Sequence, residues 1–252
     1  MQADTQERGI KENGKLRRIE KMKERKKQLD IDLWFIFIIS MLILSIYIFF
    51  NEKINAIAYN AEINIVLRVL LIGGIFQYGL AGLGITVVSV MRKESFRSYG
   101  LHSKNLLKTL IWSMLCCVPD FVYNLFAGNL HKWFPFADVN LTSEVLASGF
   151  PYSVLGMAII AICWGFFEGF NYVVIADKIS ERYPSKIKFL DWGAFVCAVM
   201  CILVHGVIGV TPDAIIEMLC TMFLIYGMLM VRKQTGNAWG CVLIFFVFWN
   251  AL

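Results

Sequence analysis

Ile162-Cys163-Trp164-Gly165-Phe166-Phe167-Glu168-Gly169-Phe170-Asn171-Tyr172-Val173-Val174-Ile175 is an apolar run interrupted by a single acid. A carboxylate at the centre of a membrane helix costs roughly 2.5–3.5 kcal/mol on insertion scales, so such a residue faces a polar interior and usually has a function. Glu168, Asn171 and Tyr172 stand at i, i+3 and i+4, which places them on one face of a helix. That run sets the fold class (a helix embedded in lipid) and marks its most informative face.

The rest of the chain agrees with this. Of 252 residues, 58% are hydrophobic and 17% charged, and the mean hydropathy is +0.63. Soluble domains average about 45–50% apolar and about 25% charged residues. The expected fold is all-α, a polytopic membrane bundle in the cell membrane. Taking about 20 apolar residues per crossing, the spans fall at approximately 32–50, 64–91, 105–127, 151–176, 189–210, 213–231 and 238–252. Residues 1–31 read as a charged, basic N-terminal arm and 32–252 as the bundle. The first apolar run follows about thirty hydrophilic residues and is too long for a signal-peptide core, so it is read as a retained span.

Charge fixes the expected orientation. Basic residues crowd the arm, then Arg92, Lys93, Arg97 and Lys104, then Lys178, Arg182, Lys186 and Lys188, then Arg232 and Lys233. The intervening loops carry little beyond Lys53 and Lys132. The positive-inside rule then places the N-terminus in the cytoplasm. The formal charge of +5 is accounted for by topology and gives no reason to expect a nucleic-acid partner; the expected partners are the lipid bilayer and a peptide or protein. Asn129 to Phe150 mixes Trp133, Phe134 and Phe136 with Asp138, Asn140 and Glu144, and is expected to lie along the outer interface. All seven cysteines sit in apolar stretches without a CxxC pair and read as packing residues.

Embedded polar residues are the candidates for chemistry: Glu168, Asn171, Arg68, Gln77, Asp120, Asn124, His205, Glu217 and Asn250. Arg68, Asp120 and Glu217 lie toward span ends, where they pair or snorkel. Glu168 and His205 are nearly equidistant from the bend at Tyr183-Pro184-Ser185-Lys186, so on antiparallel helices they reach similar depths. Such a pair can activate water, the carboxylate as base and the imidazole as donor to a developing oxyanion. Metal is not expected: HExxH is absent, and His102 and His131 belong to loops on opposite sides. No cofactor motif is present.

The C-terminal half, about 152–252, resembles the CPBP family, the CAAX proteases and bacteriocin-processing enzymes also called Abi proteins. The likeness rests on the glutamate run at Glu168, on Cys201-Ile202-Leu203-Val204-His205 against an FxxxH motif, on Phe246-Val247-Phe248-Trp249-Asn250 against HxxxN, and on the turn Thr235-Gly236-Asn237-Ala238-Trp239. Phe96-Arg97-Ser98-Tyr99-Gly100-Leu101 resembles a stretch that precedes the family core. The sequence departs from EExxxR, keeping one acid and no arginine, and has Phe246 where the third motif has histidine. The resemblance implies an intramembrane endopeptidase acting on peptide or protein substrates, with Glu168 activating water and His205 and Asn250 stabilising the oxyanion. Asn171, Tyr172, Phe246 and Trp249 would line a substrate groove between spans four, five and seven. Two other readings stay open: a family member without turnover, serving as a membrane scaffold, binding or immunity protein, and a transporter using Glu168 as a proton site.

Overall fold

The computed structural model describes the backbone of residues 2–130 and 132–251 and side chains from Gly14 onward; His131, one of the loop histidines, lies outside it. Among the described residues all regular structure is helical. The helices are α1 (Gln2–Ala58), α2 (Ile65–Arg92), α3 (Leu106–Ala127), α4 (Thr142–Ala147), α5 (Tyr152–Arg182), α6 (Trp192–His205), α7 (Pro212–Thr235) and α8 (Trp239–Trp249). Five of them, α1, α2, α3, α5 and α7, are long and apolar enough to cross a membrane. The other two expected spans are shorter, with 14 residues in α6 and about 16 Å of helix in α8 at 1.5 Å per residue.

Span five was expected to continue to residue 210, but α6 stops at His205. Gly206 takes the left-handed conformation (φ 68°) that ends a helix, and its N–H returns to Ile202 O. Pro212, at the first turn of α7 behind the capping Thr211 hydroxyl, starts a new helix immediately afterwards. The expected division at residue 31 leaves no break in the backbone, because α1 runs through it as one helix of 57 residues.

α5 is the central helix, in contact with α1, α2, α6, α7 and α8. Its residues Phe170, Val173 and Val174 are fully buried against Ile85 and Val88 of α2, Cys197, Ala198 and Cys201 of α6, and Leu224, Ile225 and Met228 of α7. The cysteines are free thiols, which fits their reading as small packing residues. A second cluster at the opposite end joins Ile65, Val69 and Ile160 to Phe136, Val139, Leu141 and Val145 of the Asn129–Phe150 segment. Arg68, also buried, pairs there with Glu144 and donates to Ile63 O at 3.0 Å.

A ring of ion pairs closes the end that carries the basic loops. Asp32 accepts from Arg92 Nε at 2.7 Å and from Lys178 Nζ at 2.9 Å. Lys178 also reaches Glu94 at 3.0 Å, Arg25 reaches Glu181 at 2.7 Å, and Arg182 reaches Asp30 at 2.6 Å. Burial works to raise the Glu94 carboxyl, but the Tyr99 hydroxyl, the Lys178 ammonium and the Arg25 charge outweigh it and hold the group below its ordinary value. A depressed carboxyl stabilises the fold fully above its unfolded value, about 4.3, and the contribution is lost as pH falls through the lowered folded value. Glu94→Gln is therefore expected to flatten the acid limb of the unfolding curve, measured as thermal stability in detergent from pH 6 downward.

The two short stretches that carry the resemblance outside the polar motifs dock on each other. Asn237 is fully buried; its Nδ2 donates to His102 O at 2.6 Å and Lys104 O at 2.7 Å, and its Oδ1 accepts from Trp239 N at 2.9 Å. Ala238 N donates to Gly100 O at 2.9 Å. Gly100, at φ +104°, has no room for a side chain, since a Cβ there would lie 2.7 Å from Gly236 O. Asn237→Ala would remove the three hydrogen bonds made by this buried amide, so a loss of about 1–3 kcal/mol is expected in thermal unfolding.

Candidate functional site

Three of the helices widen locally into π-type turns, at Leu70–Leu83 in α2, Ala161–Phe167 in α5 and Phe245–Trp249 in α8. Such turns are rare and often accompany functional sites, because the looser backbone re-aims the next side chain. Here a polar residue follows two of them directly and ends part of the third: Glu168 after α5's, Asn250 after α8's, and Gln77 within α2's. Gln77, Glu168, His205 and Asn250 lie 13 to 15 residues from Arg92, Arg182, Asp191 and Asn237 respectively. At 1.5 Å per residue this sets all four about 20–23 Å from the charged end.

Glu168 is 6% exposed. Its Oε1 lies 3.4 Å from His205 Nε2, and its Oε2 accepts from Gln77 Nε2 at 3.0 Å. The match in depth expected for Glu168 and His205 is thus met by side chains that face each other. His205, last residue of α6, keeps a third of its side chain open, at 31% exposure. Its ring rests on Trp249 edge to face, with centroids 5.1 Å apart.

Asn250 sits beside the Glu168 carboxylate, but its Nδ2 donates to Phe245 O at 3.0 Å and Trp164 O at 3.4 Å. Both carbonyls belong to widened turns, Phe245 in α8 and Trp164 in α5. In this state Asn250 holds α8 to α5. It is not aimed into open space as an oxyanion donor.

A cavity of about 310 Å³ opens beside Glu168 and His205. Its walls come from α1, α2, α5 and α6: α5 and α6 are the expected spans four and five, whereas α1 and α2 stand where the sequence led us to expect span seven. Leu33, Phe37, Met41 and Leu44 of α1 form one side; Gln77, Glu168, Asn171, Tyr172 and His205 supply the polar groups. Phe37, Met41, Val196 and Val204 on its rim are exposed, so it opens sideways between α1 and α6. Of the four expected groove residues, Asn171 and Tyr172 line this space. Phe246 and Trp249 do not. The Phe246 ring lies over Gly165, where a Cβ would meet it at 2.6 Å, and against Phe136 at 5.7 Å. Trp249 stands behind His205 as a support for the imidazole.

Tyr172 stacks on Phe245 at 5.6 Å. Asn171 Oδ1 is buried and finds no hydrogen-bond partner among the described residues. No group of three His, Cys, Asp or Glu side chains able to hold a metal occurs among the described residues. Gln77 is the residue whose role sequence reasoning missed: an amide in a glycine-rich apolar span was visible, but not the helix it faces. Compared with models of known protein families, with curated proteins and with solved structures, the chain matches none.

Proposed function

We propose that this protein is a membrane-embedded endopeptidase of the CPBP type, in which Glu168 activates water and His205 stabilises the oxyanion. The observation that carries the reading is the 3.4 Å approach of a buried carboxylate to an imidazole at the edge of a cavity. Glu168 takes a proton from water; the resulting hydroxide attacks the scissile carbonyl carbon; His205 donates a hydrogen bond to the developing oxyanion. When the C–N bond breaks, the proton held by Glu168 passes to the leaving amine. The burial of Glu168, 6% exposed, strengthens each electrostatic contact it makes.

The same reading takes the chain as a seven-span protein of the cell membrane with a cytoplasmic N-terminus. Support comes from the ion pairs that bring Arg25, Asp32, Arg92 and Lys178 together at one end, the end on which the positive-inside rule puts the basic loops. α6 and α8 are then the two short spans, each with its helix ending at the polar site. The substrate is a peptide or protein whose apolar segment enters from the lipid side between α1 and α6.

A reading as a binding or scaffold protein without turnover is favoured by one observation, the commitment of the Asn250 amide to two backbone carbonyls. Comparing new peptide termini in membranes carrying the wild-type protein or Glu168→Gln separates the two. Termini that vanish in the variant support hydrolysis; identical termini with normal protein levels sink it.

A further inference from the structure

We propose that Gln77 is the positioning residue of Glu168, fixing the carboxylate so that one oxygen faces His205 and the cavity. The inference rests on the reading of Glu168 as the working base, and it assigns to α2 a part in a site that the sequence motifs place on α5, α6 and α8. A glutamate side chain has three rotatable bonds, and a base misplaced by about 1 Å can lose on the order of 10²-fold in rate. The contact to His205 at 3.4 Å is too long to fix Glu168 by itself. The hydrogen bond from Gln77 Nε2 to Oε2, at 3.0 Å, is of ordinary length and ties that oxygen to a different helix. Oε1 is left on the side of the imidazole.

The backbone around Gln77 is built for this reach. Gly73 lies against Trp164 and Gly82 against Phe167, where a Cβ would come within 2.8 and 2.9 Å of the rings. Both rings belong to the turn of α5 that leads into Glu168. Two glycines therefore bring α2 up to α5 on either side of Gln77, and the widened turns of both helices meet there. A neutral amide suits the position because it gives a donor to a buried carboxylate without adding a charge that must itself be neutralised.

The test uses the full-length protein in bilayers. The infrared difference between wild type and Glu168→Gln assigns the carboxyl band of Glu168. Gln77→Met, similar in length and unable to donate, is expected to shift that band and to lower kcat for Glu168-dependent cleavage about 10- to 100-fold while KM changes little. In wild-type protein labelled with 15N-glutamine and 13C-glutamate, magnetic-resonance dipolar transfer between the Gln77 side-chain nitrogen and the Glu168 carboxyl carbon is expected, which needs no variant to fold. A Glu168 band unmoved by Gln77→Met, or no transfer in the wild type, would overturn the proposal. A band that moves in a protein without Glu168-dependent cleavage keeps the positioning and removes the hydrolysis, so the two failures are distinguishable.

Discussion

Under the proposed hydrolytic role of Glu168, the Glu168→Gln variant is expected to lose proteolysis while remaining folded. The replacement has the same shape, and its amide oxygen can still accept from Gln77 Nε2, so the link between α2 and α5 at 3.0 Å persists. What is lost is the capacity to take a proton from water, and general-base catalysis contributes about 10²–10⁴-fold. His205→Ala is expected to cost about 10²–10³-fold in kcat, the usual effect of removing one oxyanion donor. It also leaves the edge of Trp249 without the ring it supports at 5.1 Å, so thermal stability must be followed beside activity. Cleavage assays on a substrate identified by its new terminus check both, with the melting temperature as the control. Retained turnover in Glu168→Gln, at normal stability, would remove the carboxylate from the mechanism.

Asp32→Ala is expected to destabilise the bundle by about 3–5 kcal/mol, the range for breaking a buried ion pair from one side. Asp32 and Lys178 have side chains 1% and 2% exposed. Without Asp32, the Lys178 ammonium keeps only Glu94, at 3.0 Å, as its carboxylate partner among the described residues, and Arg92 loses its partner at 2.7 Å. The double variant Asp32→Ala/Lys178→Met should cost less than the sum of its single variants, because the uncompensated charge goes with its partner. Unfolding in mild detergent measures all three. Activity is expected to fall along with stability, since Asp32 anchors α1 one residue before Leu33, the first of the α1 residues on the cavity wall. Strict additivity would show that Asp32 and Lys178 act independently.

Helical class, membrane-compatible length and the outstanding character of Glu168 were legible in the chain because they depend on local composition and on the 3.6-residue period. The depth match of Glu168 with His205 was legible for a related reason: two helices joined by a short hairpin run antiparallel, so counting from the bend gives height. The same count fails for Gln77, because α2 and α5 are not neighbours in sequence. The groove was misplaced onto α8 for a physical reason as well. Phe246 and Trp249 share the apolar character of groove residues, yet one fills the space above Gly165 and the other backs His205. Hydrophobicity does not distinguish a wall of a cavity from its packing.

The N-terminal arm teaches the same lesson with charge. A basic segment next to a span has an adequate explanation in topology, so its pairing with α5 and the loop after α2 leaves no signature in composition. Only the fold brings Arg25 to Glu181 and Asp32 to Lys178.

By itself, the sequence determined that this chain is an α-helical protein with apolar segments fit for lipid and an acid, Glu168, deep within one of them that must be accommodated. Tertiary structure alone decided which groups accommodate it: Gln77 from a glycine-notched helix, His205 at an end set by Gly206, and an Asn250 whose amide is spent on backbone carbonyls. Periodicity and composition are properties of neighbouring residues, whereas hydrogen-bond partners across helices depend on interaxial packing, and packing here turns on glycine contacts and widened turns that no residue pattern announces.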